Sequence, residues 1–116
     1  MKSIMILEDE PFIAMDLQYA FQDAGAQASV AATCTDAFTL LEEEKIDAAV
    51  LDVNLGRGTT CEPVALALRD AGIPFVLHTG DLDRQGEHLR SLDAPVLPKP
   101  TVAREVAERV LRLIDA

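Results

Sequence analysis

Aromatic residues are scarce in this chain. It has no tryptophan, one tyrosine and four phenylalanines in 116 residues, so a core drawn from its 49% hydrophobic residues must be mostly aliphatic. Positive charge is scarce too, with ten Lys and Arg against twenty Asp and Glu and a formal net charge of −10. Such a balance repels a phosphate backbone, and no nucleic-acid partner is expected. No apolar run approaches the length of a membrane span, so neither a transmembrane helix nor a membrane partner is expected. Met1-Lys2-Ser3 leads straight into a strand-like segment without a cleavage-site pattern, which speaks against a signal peptide. The two cysteines, Cys34 and Cys61, lack metal-ligand spacing, and nothing else suggests export; reduced thiols in a cytoplasmic protein are the expectation. Repeats, linkers and low-complexity tracts are also missing. The length suits one compact domain, residues 1–116.

The acidity is uneven. Residues 1–56 carry 11 acidic and 2 basic side chains, a balance of −9, whereas residues 57–116 carry 9 acidic and 8 basic, a balance of −1. An acidic half of this kind attracts a divalent cation. Within it lies the stretch from Asp47 to Gly56, where the apolar run Ala48 to Leu51 ends in Asp52 and then in a glycine-containing turn. A short apolar run between polar boundaries fits a strand buried on both faces of a parallel sheet. In open parallel sheets, chemistry sits just beyond the carboxyl ends of the strands. Asp52 stands there.

In chain order, Ile4 to Leu7 predicts a buried strand, followed by Glu8-Asp9-Glu10-Pro11. Pro11 suits the first position of a helix whose face holds Ile13, Leu17, Ala20, Phe21 and Ala24, stopped at Gly25. Gln27 to Ala31 alternates as an edge strand does. Thr35 or Asp36 is a candidate cap for a second helix, which runs through Phe38 and Leu41 to Glu42-Glu43-Glu44. After the strand that ends at Asp52, Gly56 and Gly58 mark a turn, and a helix from about Glu62 to Ala71 closes at Gly72. Phe75 to Thr79 reads as a fourth strand. Residues 82–93, with Leu82, Leu89 and Leu92 but also Gly86, predict a short or irregular helix. Val96-Leu97 is a brief fifth strand before Pro98-Lys99-Pro100, and the last helix, from about Val102 to Ile114, turns Val106, Val110 and Leu113 inward. Strands alternating with helices give an α/β, doubly wound (βα)₅ flavodoxin-like fold. Its five-stranded parallel sheet has the order 2-1-3-4-5, with helices on both faces.

The residues that close the strands are Glu8-Asp9, then Asp52, then Thr79, then Lys99. Carboxylates gathered this closely repel one another, which raises a pKa or recruits a cation. Hard oxygen ligands in that number suit Mg²⁺. Beside such an ion, Asp52 has the chemistry of a carboxylate nucleophile toward phosphorus, with Lys99 and the Thr79 hydroxyl binding the transferred phosphoryl oxygens.

Taken jointly, these residues resemble the response-regulator receiver domains of two-component signalling, over essentially the whole chain. The resemblance implies that Asp52 accepts a phosphoryl group from a histidine of a histidine kinase or histidine phosphotransfer protein. It implies metal ligation by Asp9, Asp52 and the Asn54 backbone carbonyl, with Glu8 acting mainly through water, and a cis Lys99–Pro100 bond. Within the family, Asp52-Val53-Asn54-Leu55-Gly56, Pro74-Phe75 and Thr79-Gly80 resemble single-domain receivers whose fourth strand reads Pro-Phe-x-Phe-Ala-Thr-Gly. Leu77, His78 and Asp81 depart from that pattern. So does Val96, which replaces the family's usual Tyr or Phe three residues before the lysine.

Each of these residues also has a plainer role available. Glu8, Asp9 and Glu10 are acids that a helix N-terminus favours. Thr79 is a β-favouring residue, and lysines such as Lys99 are mostly on the surface. His78 and His88 are not spaced as a metal pair, and core edge and surface suit them. Phe12, Met15 and Tyr19 form a second apolar stripe on the first helix, either peripheral core or a docking face for a kinase helix pair. An aspartate-nucleophile phosphohydrolase would need a general acid two residues past the nucleophile, where Asn54 stands. The expectation is a stand-alone phosphoacceptor, monomer or weak homodimer, that signals to an unidentified downstream protein and assists only its own phosphorylation and dephosphorylation. A docking scaffold that is never phosphorylated is the alternative.

Overall fold

The structure, a computed structural model, describes residues 1–56, 59–80 and 94–115. Its elements run β1 (Ser3–Leu7), α1 (Pro11–Asp23), β2 (Gln27–Ala31), α2 (Cys34–Glu43), β3 (Ala48–Asp52), α3 (Glu62–Asp70), β4 (Phe75–Thr79), β5 (Val96–Pro98) and α4 (Ala103–Asp115). The strands form one parallel sheet in the order β2-β1-β3-β4-β5, as the sequence predicts. The helix expected over 82–93 lies outside the described residues, together with Asp81, His88 and Gly58.

Strand side chains alternate between the two faces, and this sorts the core into two layers. Met5, Leu7, Ala49, Leu51, Phe75 and Leu77 pack with Ala37 of α2 and Val64, Ala65 and Leu68 of α3. Ile4, Ile6, Ala48, Val50, Val76 and Leu97 pack with Leu17 and Phe21 of α1 and with Val106, Ala107 and Val110 of α4. Because β3 is covered on both sides, all five of its residues are buried. β2 at the edge pairs only with β1 and leaves Val30 exposed.

Glu10 caps α1, its carboxylate accepting from Phe12 N at 3.4 Å, and Pro11 takes the first helical position. Gly25 ends the helix at φ +87. The inward face differs from the expected one. Ala14 joins Leu17 and Phe21 in the core, while Ala24 is the exposed residue where the helix ends. The cap of α2 is Thr33, not Thr35 or Asp36: Thr33 has extended backbone, and its hydroxyl accepts from Asp36 N at 3.1 Å. Thr33 competes successfully because a cap must precede the first turn, and Cys34 already opens the helix. On α4, Val106 and Val110 are buried as expected, but Leu113 is exposed; Ala107, one residue past Val106, completes the buried stripe. No helix among the described residues is long and apolar enough to cross a membrane.

Candidate functional site

Buried strand ends deliver the side chains to one edge of the sheet. Asp52, the last residue of β3, is only 5% exposed. Glu8 follows β1, is equally enclosed, and donates its N–H to Ala31 O at 3.0 Å, which ties the loop to the end of β2. Asp9, next in the chain, is exposed. One carboxylate oxygen from each of Glu8, Asp9 and Asp52 lies within 4.8 Å of the others. From the end of β5, Lys99 Nζ comes within 3.1 Å of Glu8 Oε2 and 3.5 Å of Asp52 Oδ1. Its backbone N donates to Thr79 O at 2.8 Å, and the Lys99–Pro100 bond is cis. Thr79 is buried at the end of β4, one position beyond the Asp52–His78 pairing.

The first acidic run therefore divides its labour. Glu10 serves the helix N-terminus, whereas Glu8 and Asp9 turn toward Asp52. Glu8 also receives the Glu10 N–H on Oε1 at 3.1 Å. Its other oxygen is held by the Lys99 ion pair but has no aligned hydrogen bond. Burial, then the Glu8 charge, pushes the Asp52 carboxyl up to about 7, against the opposing pull of Lys99 and of the Asn54 N–H at 3.3 Å. A single ammonium does not neutralise this cluster, so the site takes up a proton or a cation. Three carboxylates of hard oxygen, one with spare hydrogen-bonding capacity, fit Mg²⁺.

The loop after β3 folds back on itself. Asn54 Oδ1 accepts from Gly56 N at 3.0 Å, and Leu55 N donates to Thr59 O at 2.9 Å. Gly56 turns the loop at φ +82, a left-handed conformation that favours glycine, and it lies beside Asp9, where a Cβ would make an ordinary contact of 3.6 Å with Oδ2. The Asn54 side chain, engaged by the Gly56 N–H, is committed to the turn.

Cys34 Sγ donates to Thr60 O at 3.4 Å, and both cysteines are free. Burial and the Asp52 charge push the Cys61 thiol up to about 12, so it is a packing group rather than a nucleophile. His78 is more deeply buried than a core-edge position implies, at 3% exposure, opposite Asp52 on the neighbouring strand. Among the described residues, neither ring nitrogen has a hydrogen-bond partner. The sequence signal was an imidazole inside an otherwise apolar strand that ends at the site. Beside it, a cavity of about 320 Å³ is lined by Ile13, Leu17 and Val102 and by the polar groups of Asp16, Lys99 and Thr101.

No family model matches the chain, and none of the curated proteins does. Solved structures do. SdrG from Sphingomonas melonis Fr1 is 37% identical over 100% of this chain and 98% of its own, with a TM-score of 0.81. The receiver domain of the TMAO respiratory system response regulator TorR is 29% identical over 97% of this chain and 96% of its own, at a TM-score of 0.85. The chain belongs to the response-regulator receiver domains. The response regulator TrrA from Thermotoga maritima, solved in complex with Mg²⁺–BeF, is 25% identical to this receiver over 97% of its length and 99% of TrrA, with a TM-score of 0.81. The receiver's fifth strand carries a half-buried Val96, so it has no aromatic side chain at that position.

Proposed function

We propose that this receiver accepts a phosphoryl group on Asp52 from a histidine of a kinase or phosphotransfer protein, with Mg²⁺ as the resident cation. The observation that carries this is the enclosed Asp52 carboxylate, grouped with Glu8 and Asp9 and faced by Lys99. An Asp52 oxygen attacks phosphorus, the P–N bond of the donor phosphohistidine breaks, and the imidazole leaves with the electron pair. The product on Asp52 is an acyl phosphate. Glu8, Asp9, Asp52 and the Asn54 carbonyl would hold the ion, whose charge offsets the repulsion between a carboxylate nucleophile and an anionic phosphoryl group. Lys99 and the Thr79 hydroxyl bind the phosphoryl oxygens. The chain then turns over no outside substrate; it assists its own phosphorylation and dephosphorylation, and it signals through protein contact or onward transfer in a relay.

Phe12 at 73% exposure, Met15 and Tyr19 stand outward on α1 beside the acidic edge and offer an apolar face to the donor's helices. The TrrA complex with Mg²⁺–BeF supports the choice of ion. Intact mass after incubation with Mg²⁺ and a small acyl phosphate tests the chemistry. One added phosphoryl group, absent from Asp52→Asn and abolished by EDTA, is the expected result. A wild type without adduct under rapid quench, whose thermal midpoint also ignores Mg²⁺, would leave only the scaffold role.

A further inference from the structure

We propose that Glu8 is a positioning residue that couples Lys99 to the first turn of α1, so that this turn reports whether Asp52 carries a phosphoryl group. The proposal rests on the assignments of Asp52 as phosphoacceptor and Lys99 as phosphoryl-binding group. The two oxygens of Glu8 serve different parts of the chain. Oε1 accepts from Glu10 N at 3.1 Å, and Oε2 stands 3.1 Å from Lys99 Nζ. Glu10 in turn caps α1 by accepting from Phe12 N at 3.4 Å. The backbone of Glu8 is pinned to the end of β2 by the bond from its N–H to Ala31 O, so its side chain is the part free to answer a change at Lys99. A continuous chain of contacts thus runs from the phosphoacceptor edge to the exposed Phe12.

The Glu8 side chain is only 2% exposed, and among the described residues its Oε2 has the Lys99 ion pair but no aligned hydrogen bond. A buried carboxylate oxygen that loses its cation bears a desolvation cost, so the carboxylate turns toward water or the resident cation when Lys99 leaves. A phosphoryl group on Asp52 supplies the pull. Lys99 Nζ already stands 3.5 Å from Asp52 Oδ1, and phosphoryl oxygens there are strong acceptors for an ammonium. A carboxylate is one rigid plane. A turn that carries Oε2 away from Lys99 therefore also carries Oε1 away from Glu10 N, and the cap of α1 loosens around Phe12.

The test follows the Glu10 and Phe12 backbone amides of the full chain in ¹H–¹⁵N spectra. In the unmodified, metal-free protein, Lys99→Met should speed water exchange of the Glu10 amide roughly tenfold and shift the Phe12 signal. In a Glu8→Gln background the same change should do neither, because a carboxamide still accepts from Glu10 N but does not hold an ammonium. Amides indifferent to Lys99→Met, or responding equally in both backgrounds, overturn the coupling. In the wild type, Mg²⁺ with a small acyl phosphate should reproduce the Lys99→Met change in proportion to the adduct found by intact mass. An adduct that leaves both amides as they were, or a full response to Mg²⁺ alone, overturns the report of phosphorylation. If no adduct forms, the proposed function fails, and the Lys99→Met comparison still decides whether Glu8 couples the two elements.

Discussion

The two faces of the sheet are built from the same strands and end differently. Toward α2 and α3, the layer of Met5, Leu7, Ala49, Leu51, Phe75 and Leu77 is apolar, and strand alternation adds to it one uncharged polar residue, Thr79, at the end of β4. Toward α1 and α4, the layer of Ile4, Ile6, Val50 and Val76 gives way at its carboxyl edge to Asp52 and His78, with Lys99 and a cavity beside them. The first face is spent mostly on stability. The other gives up some of that stability to hold charged groups at its edge, as functional sites commonly do.

The largest expected effects fall on the polar edge. Asp52→Asn should abolish the phosphoryl adduct, and Lys99→Ala should slow its formation by roughly a hundredfold, the usual loss on removing one charge-stabilising donor. Both changes should leave the fold intact, as read by circular dichroism and rapid-quench mass analysis. On the other face, Leu51→Ala should cost about 2–5 kcal/mol in urea unfolding, because Leu51 is fully enclosed between β1 and β4. If Lys99→Ala unfolds the protein or Leu51→Ala leaves its stability unchanged, the division between the faces fails.

A smaller effect follows from the proton on Asp52. Its folded-state pKa, about 7, stands above the ordinary value of 3.8 for an unfolded carboxylate. The folded protein therefore binds more protons between those values, and its metal-free stability should fall as pH rises through that window. Stability is highest below about pH 4 on this account and is lost by about pH 8, by on the order of a few kcal/mol. Asp52→Asn should flatten the profile, and Mg²⁺ should raise the unfolding midpoint more near pH 8 than near pH 5, since it competes with that proton. A metal-free profile identical in wild type and Asp52→Asn would show that Asp52 is ordinarily acidic.

Most of the fold was legible because burial leaves a plain mark on a parallel sheet. Ala48 to Leu51 and Phe75 to Leu77 are apolar without alternation, Gln27 to Ala31 alternates, and the strand order followed from that contrast. The acidic edge was legible because Asp52 and Thr79 close β3 and β4, and Glu8 and Lys99 directly follow β1 and β5. What escaped was set by three-dimensional fit. The outward turn of Leu113 depends on where α4 meets the sheet, and an apolar residue near a helix end carries no mark of exposure. The depth of His78 was obscured because its neighbours Leu77 and Thr79 suit a strand of any burial. Thr33 was passed over since Thr35 and Asp36 are equally good caps by type, and only the start of the helix at Cys34 separates them.

That cap supplies the smallest and most discriminating change. Thr33→Ala leaves Asp36 N without its acceptor and should cost about 1 kcal/mol, lowering the thermal midpoint by roughly 4 °C. Thr33 lines a cavity with Asp9 and Gly56, close to the acidic cluster, yet its hydroxyl is engaged by its own helix. Adduct formation and the Mg²⁺ response should therefore match the wild type once temperature is corrected for stability. If phosphorylation slows along with the loss of the cap, α2 positions Asp9, and the helix that covers the stable face also shapes the site. An unchanged rate at reduced stability would mean that the two faces share a sheet and little else.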